Sequence, residues 1–198
     1  GTQVIAPYLF ANCTGLKRIT IPETIIRIEE GAFSHSALES ISVPDNVTEI
    51  GKEAFLNTPS LKEVNLGNGL TTIGYEAFRD CVNLAEIKIP NSVTKIDNYA
   101  FNKCTNLSNV VLSKELVTLG KYAFEECVSL ENIEIPKSLT DSQGTLVYQS
   151  NESYYATGPF SKCSSLSKVT FEEGTQVIAP YLFANCTGLK RITIPETI

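Results

Sequence analysis

The chain has 198 residues, of which 42% are hydrophobic, so it can bury a core as one compact domain or one continuous array. Its formal net charge is −6 and it has no long run of Lys or Arg, which argues against a nucleic-acid partner. No stretch reaches the roughly 20 apolar residues that a membrane span needs, so we expect no membrane insertion by this segment.

One unit is repeated along the whole chain. It carries a Phe at a fixed place, and the successive Phe spacings are 23, 22, 23, 23, 23, 36 and 23 residues. The phenylalanines are Phe10, Phe33, Phe55, Phe78, Phe101, Phe124, Phe160 and Phe183. A fixed period of this length is typical of a solenoid, in which each coil is too small to hold its own core and is stabilised by its neighbours.

The unit can be written L-x-x-I-x-I-P-x-x-V-T-x-I-G-x-x-A-F-x-x-C-x-x. Its first part alternates apolar and polar residues, as in Ile87-Lys88-Ile89, which predicts a half-buried strand. Pro90 follows and ends the pairing of that strand. The V-T-x-I part predicts a second short extended piece, and Ala-Phe is expected in a turn of helix. Stacked coils about 4.8 Å apart then give a rod on the order of 40 Å long with ladders of Leu, Ile, Val, Phe and Cys inside.

The cysteines share one position, three residues after the Phe. They are Cys13, Cys81, Cys104, Cys127, Cys163 and Cys186. Zinc sites usually need closely spaced pairs, which are absent, whereas disulfides between adjacent coils are geometrically conceivable. We favour a third interpretation, in which these residues pack as small hydrophobes in a buried ladder and bind no metal.

The repeated unit, and its I-G-x-x-A-F-x-x-C signature above all, resembles the BspA-like leucine-rich repeats of bacterial and some protozoan surface proteins. The resemblance covers the chain except an insertion at about 141–158. It implies an α/β, β-rich fold: a right-handed solenoid of about eight 23-residue coils, with L-x-x-I-x-I forming a parallel sheet on one face. It also implies a cell-surface or secreted location and a role in adhesion or protein binding. Residues 25–29 and 66–69 depart from the pattern without changing the period.

Residues 1–25 recur without one change as residues 174–198. Packing alone does not require this, because residues expected to face solvent, such as Gln3 and Lys17, are repeated as well. Either a seven-coil block was recently duplicated within a longer array, of which this chain is a fragment, or the overlap was engineered. We expect exposed end coils and a tendency to stack end to end.

Leucine-rich repeats bind mostly through the strand face, so the outward strand positions are the first binding candidates. Those singled out are Arg18, Glu63, Asn65, Glu86, Lys88, Asn109, Asn132, Glu134 and Lys168. Their charges are mixed in sign, so a field that steers one partner is not expected. The alternative is that this face is simply solvated.

The insertion is polar and carries Tyr148, Tyr154 and Tyr155. Insertions in solenoids map to loops that often belong to the binding face, and Tyr with Ser and Asn is typical of adaptable recognition loops. The tyrosines could instead fold back and cover the edge of a coil.

The chain has a single His, His35, and lacks the familiar nucleophile, metal and phosphate-binding motifs, so we expect no enzyme and no cofactor. The leading hypothesis is a surface or secreted module that binds a host or neighbouring-cell protein, possibly of the extracellular matrix. The alternatives are a structural spacer without a ligand of its own and, more weakly, glycan binding by the insertion.

Overall fold

A computed structural model describes residues 1–148 and 154–198, and within these ranges the chain forms a solenoid of short strands and turns with no helix. The strands in chain order are β1 Val4–Ile5, β2 Arg27–Ile28, β3 Ser40–Ser42, β4 Glu49–Ile50, β5 Glu63–Asn65, β6 Thr72–Ile73, β7 Glu86–Lys88, β8 Lys95–Ile96, β9 Asn109–Val111, β10 Thr118–Leu119, β11 Asn132–Ile135, β12 Asp141–Ser142, β13 Thr145–Tyr148, β14 Tyr154–Thr157, β15 Lys168–Phe171 and β16 Arg191–Thr193.

The longest sheet is built from the V-T-x-I segments. Seven two-residue strands pair in parallel in the order β1-β2-β4-β6-β8-β10-β12. Their register is strict, so that Ile28 pairs with Ile50, Ile50 with Ile73 and Ile73 with Ile96. Because side chains alternate along a strand, this register buries every one of these Ile residues and exposes the neighbouring residues to varying degrees.

The L-x-x-I-x-I segments also pair in parallel, as β3-β5, β7-β9 and β11-β15-β16. The parallel sheet predicted for this face is therefore present, in three pieces, and the solenoid of about eight turns is confirmed. In the three-residue strands β3, β5, β7 and β9 the central residue faces the core, as Ile41 and Ile87 do at 2% exposure, while the flanking residues face outward. In β16 the central residue Ile192 is exposed.

A column of phenylalanine rings runs through the centre of the solenoid. Neighbouring rings from Phe10 to Phe183 are stacked, with centroids 4.9–5.5 Å apart and interplanar angles of 3–21°. The rings between these two ends are fully buried, whereas Phe10 and Phe183 are half-buried. The predicted Phe ladder is thus the central spine.

The corner that carries each Phe is a run of tight turns, where the sequence suggested a turn of helix. Along this corner, backbone amides alternate between a hydrogen bond within the coil and a hydrogen bond to the next coil. Ala100 N donates to Asp97 O in the same coil at 3.4 Å, whereas Phe101 N donates to Ala123 O in the next coil at 2.7 Å. Tyr99 and Lys103 lie two residues before and two residues after Phe101, and they have φ of 59° and 60°. Left-handed residues at this spacing interrupt the right-handed backbone that a helix needs.

The cysteines are free and serve the core. Cys81, Cys104, Cys127 and Cys163 are buried, which confirms the packing interpretation, while Cys13 and Cys186 are half-buried. Each of the four buried thiols, and that of Cys186, also donates to a Phe carbonyl oxygen of the preceding coil at 3.0–3.3 Å. Thr58, which occupies the Cys position of its unit, makes the same bond to Phe33 O at 3.2 Å. The position therefore selects a small side chain, which in six of the eight units also donates this hydrogen bond.

The insertion leaves the solenoid later than its sequence suggested. Asp141 and Ser142 form β12, which pairs with β10 in the normal register, so the regular coil extends to Ser142. β13 and β14 then form an antiparallel hairpin, and the pair Thr145–Thr157 lies at its base, next to the solenoid. At Gly158 an added Cβ would lie 1.9 Å from the Tyr181 carbonyl oxygen, so the chain returns in close contact with the last coil.

Phe101→Ala should lower the free energy of unfolding by about 3 to 5 kcal/mol, because it opens a cavity between two stacked rings in mid-array. Phe183→Ala is the matched control and should cost less, since Phe183 is half-buried at the end of the ring column. Urea titration measures both. Equal losses, or a loss below about 1 kcal/mol for Phe101→Ala, would contradict the ladder.

Stability should fall at alkaline pH because of the buried thiols. Burial raises the pKa of Cys81 to about 12, above the value of about 8.5 for an unfolded chain. The Cys81 thiol thus holds its proton more tightly in the folded state than in the unfolded state. The resulting stabilisation of the folded state is complete below about pH 8.5 and is lost as pH rises towards 12.

Cys81→Thr tests this directly, because Thr58 shows that Thr can make the same hydrogen bond. Between about pH 8 and pH 9.5, the free energy of unfolding should fall by about 1 kcal/mol more for wild-type protein than for the variant. Below about pH 7.5 the two stability curves should run parallel. Parallel curves throughout would mean that the Cys81 thiol is not held neutral by burial.

Candidate functional site

The strand face presents its outward residues in two columns. In the first, Ser40 lies opposite Glu63 and Glu86 opposite Asn109; in the second, Ser42 lies opposite Asn65. The second column continues with Lys88 opposite Val111, and farther along with Glu134, Thr170 and Thr193 in register. The nine strand-face candidates are all exposed: Arg18, Glu63, Asn65, Glu86, Lys88, Asn109, Asn132, Glu134 and Lys168.

This face is shallowly grooved. A depression of about 370 Å³ is lined by side chains of β5, β7 and β9, among them Glu63, Glu86 and Lys88. A larger one of about 700 Å³ lies beside the first coil and includes Arg18 and Ser42. The face is therefore a broad surface with shallow relief.

Charges on the strand face are left available to a partner. Glu63 accepts a hydrogen bond from Asn65 Nδ2 at 3.1 Å. Across the described ranges, the ion pairs involve other residues, and Glu86, Lys88 and Lys168 take part in none of them. Any partner that supplies complementary charge here displaces water and breaks no internal ion pair.

A second candidate lies where the hairpin meets the solenoid. The hairpin cleft, of about 490 Å³, is lined by Tyr122, Glu125, Tyr155, Thr157, Ser161, Lys162, Ser164, Asn185 and Thr187. Asn185 Nδ2 donates to Ala156 O at 2.7 Å, which ties the hairpin to the last coil. Lys162 Nζ lies 2.9 Å from Glu125 and 3.1 Å from Glu126, and these hydrogen bonds raise the pKa of Lys162.

The three candidate tyrosines of the insertion are only partly placed. Tyr155 is 37% exposed and contributes its side chain to the hairpin cleft. Tyr148 and Tyr154 pair with each other through their backbones at the open end of the described hairpin. Their side chains, and residues 149–153, lie outside what the structure describes.

A row of tyrosines was missed by the sequence analysis. Tyr75, Tyr99 and Tyr122 lie along one corner of the solenoid, with ring centroids 5.8 and 5.0 Å apart. Lys121 Nζ sits 4.8 Å from the Tyr122 ring centroid. A hydrogen bond to Glu76 raises the pKa of Tyr75, and burial raises the pKa of Tyr99, so both hydroxyls stay neutral. The available signal was an aromatic residue two or three positions before the Phe in three consecutive units.

These surfaces carry polar, charged and aromatic side chains. In the described ranges, no three His, Cys, Asp or Glu side chains come together as a metal site. Those same ranges contain no helix that is long and apolar enough to cross a membrane. The strand face offers hydrogen-bonding groups and charges, and the hairpin cleft adds the exposed ring of Tyr155.

Comparison with solved structures finds the same architecture in bacterial proteins. A leucine-rich repeat protein from Bacteroides ovatus is 30% identical, with a TM-score of 0.77 over 96% of this chain and 46% of that one. A leucine-rich cell surface protein from Faecalibacterium prausnitzii is 26% identical, with a TM-score of 0.57 over 99% and 58%. The leucine-rich repeat protein of T. pallidum is 27% identical, with a TM-score of 0.64 over 80% and 71%.

The chain spans less than half the length of the Bacteroides ovatus protein. None of the curated proteins compared with it gives a significant match. The family model described as the BspA type leucine-rich repeat region matches in six copies, over residues 1–88, 28–153 and 153–198. Since these matches extend along the whole sequence, the chain belongs to the BspA-type leucine-rich repeat family.

Proposed function

We propose that this chain is a non-enzymatic module, displayed on the cell surface or secreted, that binds a protein of a host or neighbouring cell through its strand face. Leucine-rich repeat proteins are in general non-catalytic. The similar Faecalibacterium prausnitzii protein is described as a cell surface protein, which supports the location.

The observation that carries the proposal is the strand face itself. It displays two registered columns of exposed side chains, and Glu86 and Lys88 stand side by side on β7 without internal ion-pair partners in the described chain. Eight coils about 4.8 Å apart give a surface on the order of 40 Å long. That length is enough for a protein interface of about 800 Å² per partner.

The hairpin cleft supports a narrower alternative, in which the insertion binds a glycan. It combines the exposed ring of Tyr155 with the Asn185 amide, the Glu125–Lys162 pair and several hydroxyl groups. An apolar ring beside convergent polar groups is suited to a small polar ligand. At about 490 Å³ the cleft has room for one or two sugar units.

The experiment is a binding screen of the 198-residue chain against immobilised extracellular-matrix proteins and a glycan panel. The charge exchange Glu86→Lys with Lys88→Glu should weaken protein binding roughly tenfold or more, because it reverses the pattern on the strand face. The matched control is Glu49→Lys with Lys95→Glu. It leaves net charge unchanged in the same way but alters exposed positions of the seven-stranded sheet. It breaks one surface ion pair, Lys95–Asp97 at 3.1 Å, which contributes little to stability, so this variant should fold and bind like wild type.

Two further variants examine the cleft. Tyr155→Ala removes the exposed ring, and deletion of residues 144–156 places Ser142 five residues before Phe160, the spacing of a regular unit. Both should leave protein binding intact. Glycan binding that is lost in both variants would move the site to the hairpin cleft, and an absence of any ligand would favour the structural spacer.

A further inference from the structure

The turn at residues 67–70 differs from the equivalent turns of the neighbouring coils. It reads Gly-Asn-Gly-Leu, whereas the turns of the coils before and after it begin with Pro44 and Pro90. This is the departure from the repeat at residues 66–69, and it contains the one Asn-Gly pair of the chain. The binding surfaces described above do not use this turn.

The two glycines of the turn lie against the backbone of the preceding coil. A Cβ added at Gly67 would lie 2.3 Å from the Pro44 carbonyl oxygen, and one added at Gly69 would lie 1.9 Å from the Asp45 carbonyl oxygen. Neither position accepts another residue unless the backbone shifts. Packing between the coils therefore fixes a glycine directly after Asn68.

The Asn68 side chain is exposed and loosely held. Asn68 Nδ2 donates to Asp45 Oδ1 at 3.3 Å, and Asn68 Oδ1 accepts no hydrogen bond from the residues that the structure describes. The equivalent residue of the next coil, Asn91, is held by its Oδ1, which accepts a hydrogen bond from Lys114 N at 3.0 Å. The Asn68 carboxamide can therefore rotate at the cost of one long hydrogen bond.

The backbone of this turn is also freer than that of its neighbours. Leu70 N closes the turn by donating to Gly67 O at 3.3 Å, whereas the turns at Pro44 and Pro90 close at 3.1 and 3.0 Å. Pro fixes φ in those two turns, and Gly67 does not. Gly69 N donates to no acceptor in the described ranges. A glycine nitrogen meets less hindrance than any other when it approaches the preceding side chain, because glycine has no Cβ.

We propose that Asn68 is a modification site, at which the folded protein spontaneously loses ammonia and takes up water to form aspartate or isoaspartate. The Gly69 nitrogen attacks Asn68 Cγ and releases its proton to solvent. The Cγ–Nδ2 bond breaks as Nδ2 takes up a proton and leaves as ammonia, and a cyclic imide remains. The open turn around Gly67, and not the Asn-Gly pair alone, makes this asparagine reactive.

Water then opens the imide at one of its two carbonyl carbons. Attack at Cγ restores the ordinary main chain with aspartate at position 68, and attack at the backbone carbonyl carbon leaves isoaspartate. The overall reaction converts a carboxamide and water into a carboxylate and ammonium. Either product adds one negative charge beside Asp45.

The two products should differ in stability. Aspartate suits the position, because Asp45 occupies the equivalent place in the preceding coil and its Oδ1 accepts a hydrogen bond from Asn68 N at 2.7 Å. Isoaspartate inserts an additional main-chain carbon between β5 and β6, although β5 is paired with β3, and β6 with β4 and β8. Asn68→Asp should thus unfold at nearly the wild-type urea concentration, and the isoaspartate fraction, separated by chromatography, should unfold at a lower one.

Peptide mapping by mass spectrometry tests the proposal on the folded 198-residue chain, sampled over days in mildly alkaline buffer. Asn91, which is followed by Ser92, is the matched internal control. Asn68 should convert roughly tenfold or more faster than Asn91, which corresponds to a barrier lower by about 1.4 kcal/mol or more. A sample digested at the start corrects for conversion during digestion. Equal rates at the two positions would overturn the proposal.

Two further samples separate the turn from the Asn-Gly pair. In Ser92→Gly, Asn91 should still convert severalfold more slowly than Asn68, because Pro90 restricts its turn and Lys114 N holds its Oδ1. Equal rates in this variant, once circular dichroism has shown that it is folded, would overturn the role of the turn. A synthetic peptide of residues 62–75 gives the rate without the fold. If this peptide converts and Asn68 of the folded chain does not, the fold protects Asn68 and the proposal is wrong.

Discussion

The structure depends on one arrangement of backbone hydrogen bonds at the corner that carries the Phe. There, every second amide donates to the next coil, as Phe78 N does to Ala100 O at 2.7 Å. This bond fixes the distance between coils, and the phenylalanine rings consequently stack about 5 Å apart, as Phe78 and Phe101 do at 5.1 Å. Five of the six thiols follow the same spacing, because each of these five donates to a Phe carbonyl oxygen of the coil before it. No coil satisfies its own backbone, so the neighbouring coil is part of each coil's structure.

That dependence also determines how the protein can present a binding surface. The core positions are committed to the ladders, but the outward strand residues can vary without affecting the spacing that aligns them. Ser40, Glu63, Glu86 and Asn109 occupy equivalent places and differ in size and charge. The identity of these outward side chains would determine what the strand face recognises, whereas the hairpin adds a cleft lined by residues outside the strand columns.

Much of the fold could be predicted from the sequence, because positions that recur in every repeat show which side chains stack in ladders. The Phe and Cys positions, the half-buried strands and the outward candidates all follow from period and alternation. The corner was harder, since Ala-Phe favours a helix locally and the bonds that prevent one come from the adjacent coil. The end of the seventh coil was hidden because Ser142 takes the place of Ile. The tyrosine row was hidden because Tyr75 lies three residues before its Phe, and Tyr99 only two.

The two copies of the 25-residue sequence show how far local sequence is from deciding local structure here. Val4 and Ile5 form a strand because Arg27 and Ile28 lie beside them. Val177 and Ile178, with the same flanking residues, form none. Intrinsic strand propensity is identical in the two settings, so the difference arises from the different chain segments that lie beside each copy.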